Sequence, residues 1–338
     1  MNLKELTREE RKNLLLSLGE KPFREKQIFE WICKGAESLD EMTNLSKELR
    51  EKLSKECSFE SLKVELVQKS KDGTQKFLFK TPDGEFLESV FMQYEYGNSI
   101  CVSTQIGCNM GCVFCASGIG GKIRNLKAFE MLDEFVMVQK YTGQTLNHIV
   151  LMGMGEPFDN YEEVKKFITL LHDKDGINLS LRNITLSSCG VIPGIKKYAE
   201  DFPQANLAIS LHRANQKGRE ALMPISKKYP LEELIPAVKK YSEKTKNRVS
   251  FEYALIKGEN DSEEDAKALS RLLSGMMSHV NLIPLNPVVE NNFRGCSKKE
   301  AEEFAKKLES LGIPATVRRT LGTDIDAACG QLRKNHTC

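Results

Sequence analysis

Three cysteines within eight residues, Cys108-Asn-Met-Gly-Cys112-Val-Phe-Cys115, are the densest chemistry in this chain. Their spacing is C-x3-C-x2-C. Gly107 and Gly111 let the backbone fold back tightly enough for the sulfurs to face one point. Thiolates at such spacing suit a soft metal or an iron–sulfur cluster. A closed four-iron site takes four cysteines; here three are local and no fourth follows nearby, which leaves one position open for a small molecule. A structural zinc site, a Cys112/Cys115 redox pair and buried free thiols are the other readings. The third cysteine speaks against a redox pair. Zinc lacks a fourth ligand, the nearest histidine being distant His148.

These thiols need a frame, and from residue 100 the sequence supplies a rhythm of strand, then helix. Strand-like runs fall at 100–104, 148–152, 184–187, 207–211, 250–255, 279–284 and 315–318, with helical runs at 231–244, 263–273 and 298–311 among those between them. Such alternation predicts an α/β fold with a parallel sheet. Six or so units close partly into a barrel, whose chemistry belongs at the C-terminal ends of its strands. The informative residues fall there. Gly153-Met-Gly155-Glu156-Pro157 offers close backbone approach and a carboxylate that can accept from an ammonium; it also reads as a glycine turn with a solvated acid. Ser187, Ser210-Leu211-His212 and Asn286 bring small polar groups suited to a ribose or carboxylate. Each alone is ordinary; together they predict a small-molecule pocket. The tail after the last strand is predicted to curl over the barrel mouth. It holds Cys329 between Ala327, Ala328 and Gly330, so a bulky partner has access to the sulfur.

Before residue 100 the pattern differs. Residues 1–57 read as short helices: one closing at Leu14–Leu18 before Gly19 and Pro22, one over 23–33, and a third marked by Leu45, Leu49 and Leu53 with Thr43 or Asn44 as its cap. Residues 63–92 switch to period two and predict a small β meander with turns at Lys71-Asp-Gly73 and Thr81-Pro-Asp-Gly84. Glu88 lies in its last strand. It is either exposed by alternation or held for proton transfer, and alternation alone favours exposure. The expected divisions are 1–60 (helical), 61–93 (β extension), 94–322 (core) and 323–338 (tail).

Bulk properties set limits. A chain of 338 residues with 40% hydrophobic and 28% charged residues can bury a large core. The net charge of +2 rules out a polycation, so any nucleic-acid surface must be a local patch. The N-terminus is charged, without an apolar signal core, and no apolar run is long enough for a bilayer. The ten cysteines are therefore expected reduced, in a cytoplasmic monomer with no membrane partner, and available for ligation or catalysis.

The order of motifs says more than any one of them. Leu87-Glu-Ser-Val90, Cys101-Val-Ser-Thr-Gln-Ile-Gly-Cys108, the cysteine loop, Met152-Gly-Met-Gly-Glu-Pro157, Ser210-Leu-His212, Leu222-Met-Pro-Ile225, Val280-Asn-Leu-Ile-Pro284 and Asp324-Ile-Asp-Ala-Ala-Cys-Gly-Gln331 run in one order over nearly the whole chain. This resembles the bacterial radical-SAM adenine-C2 methyltransferases that act on 23S ribosomal RNA and tRNA. The resemblance implies a partial (β/α)6 barrel with a small N-terminal helical domain and a short β extension. It implies a [4Fe–4S] cluster on Cys108, Cys112 and Cys115, and S-adenosylmethionine held by Gly155, Glu156, Ser187, Ser210, Leu211, His212 and Asn286. It further implies Cys329 as a methyl carrier, Cys101 as the second catalytic thiol and Glu88 as a proton acceptor, against the context-free reading of Glu88.

The implied chemistry uses two S-adenosylmethionines per turnover, one to methylate Cys329 and one to make a radical there. The product is 2-methyladenosine in the peptidyl-transferase region of 23S rRNA and 3′ of the tRNA anticodon, with a reductant such as flavodoxin. Lys122, Arg124 and Lys127, and Arg318, Arg319, Arg333 and Lys334, are candidates for phosphate steering, though each alone reads as a solvated charge. Two alternatives stand: the related adenine-C8 methyltransferases of antibiotic resistance, and a non-catalytic iron–sulfur or zinc protein that binds RNA. Glu-Pro after Gly-Met-Gly and the Arg318-Arg319 pair look more like the C2 family; Cys189, where relatives carry Ser or Thr, is a departure.

Overall fold

The structure is a computed structural model that describes residues 1–285, 293–326, 332–333 and 336. Three short helices come first: α1 (Arg8–Ser17), α2 (Arg24–Cys33) and α3 (Lys47–Glu56). Thr7 caps α1 in a reciprocal box with Glu10, and Ser46 caps α3 by accepting from the Leu49 N–H. The cap of α3 thus falls later than Thr43 or Asn44, because Leu45 is itself buried ahead of the helix and Ser46 is the first polar residue able to turn inward. Strands β1 (Lys63–Lys69), β2 (Gln75–Lys80) and β3 (Phe86–Tyr94) form the antiparallel meander.

Next come β4 (Gly97–Cys101), β5 (Gln105–Gly107), β6 (Lys122–Asn125), α4 (Ala128–Thr142), β7 (Leu146–Leu151), α5 (Tyr161–His172), β8 (Ile184–Ser188), α6 (Ile192–Asp201) and β9 (Asn206–Ser210). The chain ends through α7 (Gln216–Leu222), α8 (Leu231–Thr245), β10 (Val249–Leu255), α9 (Glu263–Leu273), β11 (Ser278–Pro284), α10 (Lys298–Ser310) and β12 (Ala315–Val317).

Ten strands make one sheet in the order β1-β2-β3-β4-β7-β8-β9-β10-β11-β12. From β4 to β12 every pairing is parallel, so six strand–helix units are followed by a further strand. This is the partial (β/α)6 barrel, with β12 added to it. Two details depart from the sequence reading. The first parallel strand is Gly97–Cys101, not 100–104, because residues 102–104 leave the ladder to bond the loop after β7, where the Gly153 N–H reaches the Val102 carbonyl at 3.0 Å. Strands β5 and β6 are a separate two-stranded hairpin that periodicity did not reveal, being too short to show a period.

Alternation did not predict Glu88 either. Leu87 and Phe91 of β3 join the apolar core, while Glu88, on the other face, looks into the barrel and is 3% exposed. Both faces of this strand are covered, so an inward polar residue is not a solvated one. No described helix is long and apolar enough to cross a membrane.

A buried ion pair joins the N-terminal helices to the barrel. Lys4 Nζ lies 2.9 Å from Asp133 Oδ1 on α4, both side chains almost fully buried, and the Leu62 N–H donates to Asp133 Oδ2 at 2.9 Å. Asp133→Ala strands a buried ammonium. We expect it to lower unfolding free energy by about 3–5 kcal/mol in chemical denaturation, with most of the loss recovered by a Lys4→Met/Asp133→Leu double variant.

Candidate active site at the barrel mouth

Residues 108–121, which carry the three cysteines, are the loop of the β5–β6 hairpin. The hairpin closes where Gly107, at φ +77°, passes the Gly121 carbonyl so tightly that a Cβ would lie 2.0 Å from its oxygen. A side chain there cannot be accommodated without moving backbone. The Val113 N–H donates to the Leu222 carbonyl at 3.0 Å, and the Lys122 N–H to the Asn109 side chain at 2.8 Å, fixing the loop against the end of α7 and upon itself.

Cys108, Cys112 and Cys115 line one cavity over the ends of the parallel strands. Burial pushes the Cys108 thiol up to about 11 and raises Cys112 further, and the neighbouring sulfurs add to both. Anionic sulfur is costly here unless a cation shares the site. Among the described residues no three His, Cys, Asp or Glu side chains converge as a single ion requires. Three soft sulfurs lining one cavity are a donor set suited to an iron–sulfur cluster.

The same cavity is lined by Gly155, Glu156, Ser187, Ser210 and His212. Gly155 sits at φ +106° with Gln105 pressed against it, and Gln105 Oε1 accepts the Glu156 N–H at 2.9 Å. Each Glu156 oxygen accepts one backbone N–H, from Phe158 at 3.0 Å and Cys189 at 2.8 Å. Burial raises this carboxyl group above its ordinary range, and those two bonds work against the rise. It lines the cavity with both oxygens already held by the backbone. Leu211 is different: its side chain belongs to the apolar core, its N–H donates to the Glu252 carbonyl and its carbonyl accepts from Arg219, so its side chain is not on the cavity wall. Asn286 and Cys329 lie outside the described residues.

His212 takes a left-handed backbone turn at φ +54°, and Phe114 of the cysteine loop meets its ring edge-on at 4.8 Å. Its Nδ1 accepts the Ala254 N–H at 2.9 Å, which leaves the ring proton on Nε2 as a donor. Burial first, then Arg219, push its pKa down to about 3.

A second cavity adjoins the first; Met152, Gly153, Ile283 and Arg318 line both. It holds Glu88 and Cys101. Burial pushes the Cys101 thiol up to about 11, with the Arg318 guanidinium working against it. Glu88 Oε2 pairs with Lys76 Nζ at 2.7 Å, and Oε1 accepts the Arg333 N–H. Arg318 and Arg319 face this cavity, whereas Lys122, Arg124 and Lys127 do not stand free for phosphates. They are paired with Asp159 at 2.7 Å, with Asp83 and Glu130 at 2.7 Å, and with Glu163 at 3.3 Å. Acids distant in sequence neutralise them, which a linear reading of charge cannot register.

Sequence reasoning also passed over Glu252, Lys76 and Arg219. Glu252, 4% exposed, reaches the first cavity from the middle of β10. Arg219, fully buried, donates to the carbonyls of Cys189 and Ser210 and so ties the ends of β8 and β9 together. Only the apolar neighbours of Glu252 and Lys76 in their strands hinted that these charges are buried.

Two outcomes follow from this geometry. Gly107→Ala is expected to fold yet bind iron about 10–100-fold more weakly, read by iron content and visible absorbance after anaerobic purification. His212 stays neutral while the unfolded chain takes a proton near 6.5, so between that value and about 3 the unfolded state holds the extra proton and stability falls as pH falls. Nitrogen NMR of the histidines should find His212 as the Nε2–H tautomer with no titration between roughly pH 5 and 8.

The chain is similar to known proteins along its length. Residues 102–269 match the Radical SAM superfamily, and residues 1–59 match the Ribosomal RNA large subunit methyltransferase N-terminal domain. The chain is 49% identical to the probable dual-specificity RNA methyltransferase RlmN of Lachnospira eligens, over 99% of this chain and 96% of that one. It is 48% identical to the protein of the same description from Clostridium botulinum, over 99% and 97%. A crystal structure of a radical SAM methyltransferase from Sphaerobacter thermophilus superposes with a TM-score of 0.93 at 44% identity, covering 98% of both chains. With a cavity built for a [4Fe–4S] cluster and S-adenosylmethionine, and with likeness along its full length, the chain belongs to the RlmN family of radical SAM RNA methyltransferases.

Proposed function

We propose that this chain methylates carbon 2 of an adenosine, in 23S rRNA and in tRNA, through a methyl group carried on Cys329. The observation that carries the reading is the wall common to the two cavities. It sets a proton acceptor and a thiol, Glu88 and Cys101, next to the pocket of the three cysteines. Carbon 2 of adenine lies between two ring nitrogens and is too electron-poor to attack the methyl of S-adenosylmethionine. A methyl activated as a radical on a protein sulfur removes that obstacle.

Cys108, Cys112 and Cys115 would hold the cluster, which supplies the electron that splits S-adenosylmethionine and so the radical that activates the carrier methyl. Glu156 orients the donor by accepting from its ammonium group, and His212 Nε2–H donates into the same pocket. Ser187, Ser210 and Asn286 complete the binding set. Once the carrier carbon is bonded to carbon 2, Glu88 takes the proton from that position, and the adduct's remaining unpaired electron would then be taken up by the oxidised cluster that Cys108, Cys112 and Cys115 would hold. Cys101 then gives up its thiol proton as it bonds to the Cys329 sulfur. The bond from that sulfur to the methylene carbon breaks, and its electron pair takes a proton to complete the methyl. The resulting disulfide is reset by an external reductant, for which flavodoxin is our candidate. A target base inside folded RNA must leave its stack to reach this depth.

Anaerobic turnover of the reconstituted chain with methyl-labelled S-adenosylmethionine and separate rRNA and tRNA fragments should give labelled 2-methyladenosine by mass spectrometry. Cys329→Ala should abolish it, and Cys101→Ala should retain RNA bound covalently to the protein. Formation of 8-methyladenosine alone overturns the reading.

A further inference from the structure

The second cavity contains more chemistry than this mechanism uses. Lys76 of β2 is fully buried, its ammonium 2.7 Å from Glu88. Thr74, two residues earlier, is fully buried too and is turned to the Asp72 carboxylate, which its N–H and hydroxyl hold. Cys101 lines the same space. A cation and a carboxylate therefore line one chamber beside the thiol assigned to product release.

Resting on the adenine-C2 reading above, we propose that Lys76 is a catalytic residue. Its ammonium donates to the ring nitrogen next to carbon 2 of the target base while Glu88 faces the hydrogen on that carbon. On the edge of adenine a C–H and an acceptor nitrogen are adjacent atoms. A carboxylate oxygen and an ammonium nitrogen in contact are adjacent in the same manner, so the pair matches that edge.

The match has a chemical consequence. A carbon radical next to sulfur is electron-rich and adds readily to electron-poor carbon. Drawing density from the neighbouring nitrogen makes carbon 2 a better acceptor. When Glu88 takes the proton, the C–H bonding pair stays in the ring, and the negative charge that develops on nitrogen meets a donor already aimed at it. One proton moves, from carbon 2 to the Glu88 carboxylate, and no electron leaves the adduct in this step.

The test uses reconstituted holoenzyme whose Cys329 is already methylated. Short RNA hairpins carry adenosine, 1-deazaadenosine or 3-deazaadenosine at the target position. Lys76→Met is expected to slow single-turnover formation of the 2-methyl product by about 100-fold or more, the scale of a lost proton-donating group. Cluster absorbance and the S-methyl content of Cys329, read by intact mass, should stay at wild-type levels. For the one deaza analogue lacking the contacted nitrogen, the analogue's penalty should be smaller in Lys76→Met than in wild type; for the other, the two losses should multiply. Lys76→Arg, which keeps the charge and the fold, should recover part of the rate and respond to the same analogue.

Losses that multiply within about twofold for both analogues, in Lys76→Met and Lys76→Arg alike, overturn the assignment while leaving the C2 reading intact. A wild-type chain that makes no 2-methyladenosine overturns that reading and this assignment with it.

Discussion

A parallel sheet that stops short of closing has an edge of unpaired backbone groups, and such an edge must be covered. In this chain the exposed side of β4 is covered by β3 running the other way, with Val90 opposite Cys101. The site depends on that one antiparallel pairing. It brings the meander, an element outside the strand–helix repeat, into the barrel wall. The cysteine loop and the donor pocket belong to the repeating part; Glu88 and Lys76 belong to the inserted part. The seam between them is where two halves of a reaction can meet.

The buried charges divide into two sorts. Lys4 with Asp133, and Arg11 with Glu25 and Asp173, bind the N-terminal helices to the barrel; Arg11 also stacks over Phe29 at 3.9 Å. Arg219 belongs with them, since it satisfies strand-end carbonyls that no helix reaches. The ion pairs have their partners within the fold, and Arg219 spends its Nε and one terminal nitrogen on carbonyls. Glu156, Glu252, Lys76 and Glu88 are of the other sort. They line the two cavities, where buried charge sits beside space a ligand can enter.

What the sequence made legible follows from range. The cysteine triplet, Gly155-Glu156 and Ser210-Leu-His212 are local arrangements, and local spacing survives folding, so they could be read directly. The parallel architecture was legible because strand and helix alternate over two hundred residues. Glu88 defeated alternation because both faces of β3 are covered, a fact decided by α4 and the barrel, not by β3 itself. The pairing of Lys122, Arg124 and Lys127 with Asp159, Asp83, Glu130 and Glu163 was equally hidden, since most of those acids lie more than thirty residues away. Lys76 gains its meaning only from a cross-strand register that composition does not encode.

The chain leaving β12 runs back across the meander and is fastened there by carboxylates. The Gly322 N–H donates to Asp72, Asp324 accepts from the backbone of Lys71, and Asp326 exchanges two hydrogen bonds with Gln68. Slight burial opposes it, yet the N–H groups of Gly322 and Thr74 draw Asp72 down to about 2. Such a fastening is made of anions and amides in reach of water, with little grease in it. It can be undone and redone without baring a hydrophobic surface. Hydrogen bonds also hold the carboxyl group of Asp324, like that of Asp72, below its ordinary range. A ribbon buckled this way can be loosened without the barrel itself having to give.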